Sequence, residues 1–174
     1  MQRLLWIAAG LLLLASCTSV PDGVKPVENF DADRYLGNWY EIARLPHSFE
    51  EGLSNVTATY TLRDDGGINV LNKGFNDESG EWEEAEGKAY FVENPSIGYL
   101  KVSFFGPFYA SYVVVSVDES YRYALVSGPD RSYLWVLSRT KTLAPDTLDS
   151  LVDKAEALGY DVSQLIYVNQ DKYR

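Results

Sequence analysis

Apolar and polar positions alternate in short bursts along most of this chain, between two segments of different texture. The first is N-terminal. Met1-Gln2-Arg3 is a short basic start, and Leu4 to Ala15 follows without a charge. That run predicts a secretory signal, because a membrane-spanning helix needs about 20 apolar residues. Positions 18–28, with Pro21, Gly23 and Pro26, predict a tether that holds the domain off a surface. Strands are then expected over Trp39 to Leu45, Val56 to Leu62, Ile68 to Lys73 and Glu83 to Val92. Four more are expected over Tyr99 to Phe104, Ser111 to Val117, Tyr121 to Val126 and Tyr133 to Ser138. Asp64-Asp65-Gly66-Gly67 and Ser127-Gly128-Pro129-Asp130-Arg131 supply turns, since Asp and Gly accept the backbone angles that turns need.

The second segment changes period. Leu148, Leu151, Val152, Ala155 and Leu158 recur at helical spacing, with Pro145 before them and Gly159 as a stop. One apolar face predicts a helix packed on the outside of the sheet. Leu165 to Val168 reads as a last edge strand. Eight meandering strands and one late helix predict an all-β fold: an eight-stranded antiparallel up-and-down barrel with a C-terminal α-helix outside. A barrel leaves no exposed sheet edge, and about eight strands enclose room for one small ligand. A solid β-sandwich produces the same period of two, so alternation alone does not separate them.

Composition narrows the function. There are 15 Lys plus Arg against 25 Asp plus Glu, a formal net charge of -10. Such a chain is a poor partner for nucleic acid, whose phosphates need a basic face. Thirteen Tyr and four Trp suit a lining with one apolar end and one wet end. Cys17 is the only cysteine, so the domain has no internal disulfide.

Leu14-Ala15-Ser16-Cys17 stands directly after the apolar run and resembles a bacterial lipobox. The resemblance implies that 1–16 is a signal peptide that is removed. It also implies that the Cys17 thiol receives a diacylglyceryl group and that the new amine is acylated. Three chains would anchor the protein firmly, because two lipid signals already suffice. Thr18 stands where an Asp would favour the inner membrane, so the same resemblance points to the outer membrane, on its periplasmic face. The expected organisation is then 1–16 signal, 17–29 lipidated N-terminus and tether, and 30–174 barrel domain.

Three ordered motifs carry a second resemblance. They are Gly37-Asn38-Trp39, the hairpin Gly128-Pro129-Asp130-Arg131-Ser132-Tyr133-Leu134-Trp135, and Arg139 at the end of the last barrel strand. Lys73-Gly74, Glu86-Gly87-Lys88-Ala89 and Val102-Ser103-Phe104-Phe105-Gly106-Pro107-Phe108-Tyr109 fit with them. From about Phe30 to Gln170 the chain resembles the lipocalins, in particular their bacterial branch. The resemblance implies a cup closed at one end, which binds an apolar ligand. For the bacterial branch it implies lysophospholipid or fatty-acid binding, envelope maintenance under stress, and a second copy of the chain as partner. The usual lipocalin disulfide is missing here, so closure must come from packing and hydrogen bonding.

The family places the arginine over the tryptophan at the closed end, which assigns Gly37, Trp39 and Arg139 a structural role. Side chains alternate along a strand, so an inward Arg139 carries Leu137, Trp135 and Tyr133 inward with it. These three form the expected ligand wall. On the same counting, Trp39 brings Glu41 and Ala43 inward. Ala43 leaves room for a tail, whereas Glu41 is unexplained, because a buried carboxylate needs a partner or a raised pKa. Tyr109 is expected to offer a hydroxyl to a headgroup. The aromatic stretch around it either lines the pocket or forms an exposed interaction patch.

His47, the sole histidine, is expected to be a plain surface residue. No metal or other cofactor is expected, and no catalytic group, because Glu41 lacks an identifiable partner. Three other readings stay open: a carrier of haem or an isoprenoid, a lipocalin-fold enzyme, and a filled structural barrel.

Overall fold

A computed structural model describes residues 18–172. Eight strands form the wall: β1 (Gly37–Arg44), β2 (Leu53–Leu62), β3 (Ile68–Asn76), β4 (Glu81–Phe91), β5 (Tyr99–Ser103), β6 (Ala110–Val117), β7 (Tyr123–Ser127) and β8 (Leu134–Ser138). Each pairs antiparallel with the next, and β1 also pairs with β8, which closes the ring. A two-residue β9 (Ile166–Tyr167) adds to β1 beyond it. Tyr121 falls outside the seventh strand. It turns the chain at φ 56, and its hydroxyl accepts from the Asp31 N–H at 2.8 Å. The short helix α1 (Ala32–Tyr35), capped by the Asp31 side chain, has no counterpart in the sequence expectations, since four residues carry no period.

The strands feed two cores. On β6, Val113 packs outward and Val114 inward. On β7, Leu125 packs outward, with Ala124 and Val126 inward. On β8, Leu134 and Val136 pack outward, Trp135 and Leu137 inward. The outer core is covered by helix α2 (Pro145–Ala157), whose Leu151 and Ala155 are buried against it. Pro145 suits the first turn because its missing N–H would go unpaired there anyway.

The outer layer also holds the N-terminal segment, which is not a free tether. Val24 is buried, Val27 exchanges backbone hydrogen bonds with Val114 and Gly98, and Phe30 N–H donates to Ser96. At the other end of the chain, the buried Gln170 amide donates to the carbonyls of Glu41 and Val56 at 2.7 and 2.8 Å. The C-terminal strap is thus tied to the barrel by hydrogen bonds.

The closed end is built around Trp39, which has no exposed surface. Its indole N–H donates to the Tyr35 carbonyl at 2.8 Å. The Arg139 guanidinium lies 3.8 Å from the ring centroid. Its nitrogens donate to the carbonyls of Arg34, Leu36, Asn38 and Tyr121. A lysine could not reproduce that fork. Gly37 has φ +94, and a Cβ there would lie 3.4 Å from Arg139 Nη1.

Replacing Trp39 with Ala should lower stability by about 3–5 kcal/mol, and Gly37→Ala by about 1–2 kcal/mol. Urea denaturation followed by tryptophan fluorescence checks both. Near-parental midpoints would remove these residues from the structural centre.

Candidate functional site

Inside the barrel lies a cavity of about 750 Å³, within the usual range for small-molecule sites. Phe30 and Tyr35 border its lower part. Val56, Ala58, Val70, Leu100, Val102 and Leu137 form an apolar wall. The mouth opens at the other end, among the β1–β2, β5–β6 and β7–β8 loops, where Phe49, Phe105, Phe108 and Tyr133 sit.

Three of the expected wall residues line this space: Leu137, Trp135 and Tyr133. Tyr133 also explains a glycine, since a Cβ on Gly128 would come within 2.5 Å of the tyrosine Cβ. Ala43 is a correction. It is fully buried in the outer core, with Leu151 and Ala155. The cause is a β-bulge: Glu41 pairs with Leu137, but Ala43 pairs with Val136, so β1 carries one extra residue. Alternation restarts out of phase. Ile42 and Ala43 face outward together, and Arg44 turns inward opposite Trp135.

Tyr109, the expected headgroup contact, stands at the mouth. It borders the rim, but its ring packs 6.4 Å from Tyr90, with the Lys101 ammonium 5.2 Å from its centroid. Tyr90 and Lys101 pair across the outer face, flanked by inward Ala89, Leu100 and Val102. Since Tyr112 points inward on β6, alternation sends Tyr109 out. The aromatic stretch divides accordingly: Phe104 packs inward, while Phe105 and Phe108 are exposed.

The bulge assembles a polar cluster that sequence counting missed. Arg44 is buried, and its Nη1 donates to Glu41 Oε1 at 2.7 Å. Its Nη2 donates to the Glu50 carbonyl at 2.6 Å. Trp135 Nε1 donates to Glu50 Oε2 at 3.2 Å. His47 Nε2 lies 2.8 Å from that same oxygen, off the direction of a good hydrogen bond. So His47 is not a plain surface residue. Its side chain is 4% exposed and stacks on Phe49 at 3.8 Å, behind the cavity wall. One signal for the cluster was visible: an Arg and a Glu three apart in an otherwise apolar strand.

Burial holds the Glu41 carboxyl well above the usual carboxylate range, helped by nearby Glu50 and opposed by Arg44. Deeper in the cup, the Tyr112 hydroxyl bonds to those of Tyr35 and Tyr60 at 2.7 and 2.9 Å. Burial raises all three phenols, so they stay neutral and can donate. Asn72 Oδ1 borders the cavity with no hydrogen-bond partner among the described residues.

A closed barrel around an open apolar cup, with polar groups set into one wall, defines a small-molecule-binding β-barrel. A family model described as the lipocalin-like domain matches residues 30–170, and the chain belongs to that family. It is 56% identical over 170 residues to the outer membrane lipoprotein Blc of Vibrio cholerae, covering 97% of this chain and 99% of the relative. It is 56% identical to the Blc of Escherichia coli K12 over 163 residues, covering 94% and 92%. Among solved structures, insecticyanin from the tobacco hornworm Manduca sexta shares the fold. The TM-score is 0.69 at 24% identity, over 87% of this chain and 86% of that one.

The raised Glu41 pKa has a consequence for stability. The native protein holds this proton more tightly than the unfolded chain does. The contribution therefore favours folding below the ordinary carboxylate pKa and is lost as pH rises through the raised native value. Glu41→Gln removes the ionisation and keeps an oxygen for Arg44. The urea midpoint of the variant, relative to the parent, should rise as pH climbs above the ordinary carboxylate range. A pH-independent difference would place Glu41 in the ordinary range.

Proposed function

We propose that this protein is a lipid-anchored lipoprotein of the bacterial outer membrane, on its periplasmic face. It binds and stores or transports lysophospholipids or fatty acids for envelope maintenance under stress. The carrying observation is the open cup of about 750 Å³ with an apolar interior and polar groups in its wall. An acyl tail buried there gains about 0.8 kcal/mol per CH₂, less the cost of ordering it. The anchor would sit on Cys17, which lies outside the described residues. The names of the Vibrio and Escherichia relatives support the location.

The wall chemistry favours the lysophospholipid of the two ligands. Glu41 and Glu50 line the cavity and share one Arg44, so a fatty-acid carboxylate beside them would compete for a guanidinium that is already paired. A zwitterionic headgroup held at the mouth avoids that. The unpaired Asn72 oxygen offers a hydrogen bond to a glycerol hydroxyl. A haem reading lacks a histidine ligand, because the only histidine lies against Glu50 and does not line the cup. The function needs no bond-breaking step, and the protein acts as a binder rather than an enzyme.

Native purification followed by mass spectrometry of co-purifying lipid tests the reading. Lysophospholipid near one per binding unit is the expected result. Absence of lipid, together with no displacement of a fluorescent fatty acid, would sink it. Trp135→Ala removes cavity wall and should weaken tail binding about tenfold. Unchanged affinity in fluorescence titration would take Trp135 out of the site.

A further inference from the structure

The mouth has two unlike sides. Phe105 is 83% exposed, Phe108 61% and Phe49 57%, and all three border the cavity. Phe104 to Tyr109, the β5–β6 loop, carries no charge. Between the β1–β2 and β5–β6 loops, the β3–β4 loop and the start of β4 expose Asp77, Glu78, Glu81, Glu83 and Glu84. Exposed aromatic groups at a cavity rim are unusual on a monomer and need a partner surface.

The N-terminal segment points to that partner. Ser19 Oγ donates to the Pro129 carbonyl at 2.9 Å, in the β7–β8 loop at the mouth. The Thr18 carbonyl accepts from the Tyr99 hydroxyl. Arg131 holds the Asp22 carbonyl at 2.5 Å, and the chain then runs down the barrel wall through Val24 and Val27. Cys17 stands two residues before Ser19 in the chain. The described chain therefore begins at the open end of the barrel, on the β7–β8 loop next to the β5–β6 aromatics. The strand order sets the acidic β3–β4 loop opposite the β7–β8 loop that holds this segment.

We propose that Phe105 and Phe108, with Phe49, dock into the bilayer that holds the Cys17 anchor, so that the cup opens onto the membrane. This rests on the lipid-anchored reading of Cys17. A strap packed along the barrel leaves no slack for the mouth to swing away. Phenyl rings partition into the boundary between headgroups and acyl chains. The acidic arc, repelled by anionic lipid, tilts into water. A lysophospholipid then passes between leaflet and cup without exposing its tail to solvent.

The mature lipoprotein, reconstituted into vesicles of phosphatidylethanolamine and phosphatidylglycerol, allows a direct test. Acylation blocks the only native thiol, so Phe105→Cys accepts one NBD fluorophore. Leu62→Cys, exposed at the closed end, serves as the comparison. Doxyl-labelled lipid should quench the probe at 105 severalfold more than the probe at 62, with a blue-shifted emission at 105. Flotation with the vesicles but no quenching at 105 overturns the docking and leaves the anchor standing. Quenching at 62 in place of 105 overturns it as well. Self-quenching at 105 without doxyl quenching would assign the rim to a second copy of this chain, against the proposal. Failure to float overturns the anchored reading and the docking with it.

Discussion

A guanidinium laid on a buried indole closes one end of this barrel, and the open end depends on it. Arg139 and Trp39 are a hundred residues apart, yet the arginine gathers carbonyls from the segment before β1, from β1 itself and from the turn before β7. These are backbone groups at the barrel end where water is partly excluded, and an unpaired carbonyl there is costly. One side chain with five donors satisfies several of them at once. The cation over the ring adds a further attraction that grows with desolvation. With the floor fixed in this way, the walls do not need to collapse on each other.

An unfilled cup forgoes the packing that a solid core would supply. The protein compensates on the outside. Strands β6 to β8 are apolar on both faces, and their outward residues pack under α2 and the N-terminal strap. The strap also fixes where the chain leaves the barrel, beside the mouth. Stability and orientation therefore come from the same outer layer, while the interior stays free for a ligand.

The cup's chemistry is uneven because its wall is uneven. The bulge in β1 turns Arg44 into the barrel, where Glu41 and Glu50 need it. Without that arginine, the buried Glu41 carboxylate would face an apolar cavity unpaired, a state that a protein avoids by pairing or protonation. Two strands round the ring, on β3, Asn72 sits in phase with Ile68 and Val70 on a regular strand, so its inward position was open to simple counting.

Much of the architecture was legible in local sequence. Period-two alternation located eight wall strands, helical spacing located α2, and glycine at 37 marked a tight entry to the floor. The inward run of Leu137, Trp135 and Tyr133 followed from strand parity, because β8 is regular. Parity failed on β1, where Ala43 and Arg44 exchanged faces. It also gave no sign that the proline-rich N-terminal segment packs down. The sequence by itself determined which segments extend and which face of each regular strand is apolar, since those depend on neighbours two to four residues away. Only the tertiary structure decided the phase of β1, the partners of the buried charges and the path of the N-terminal segment along the barrel. Those depend on what stands opposite each residue across the sheet, and a neighbour from a distant part of the chain sets it.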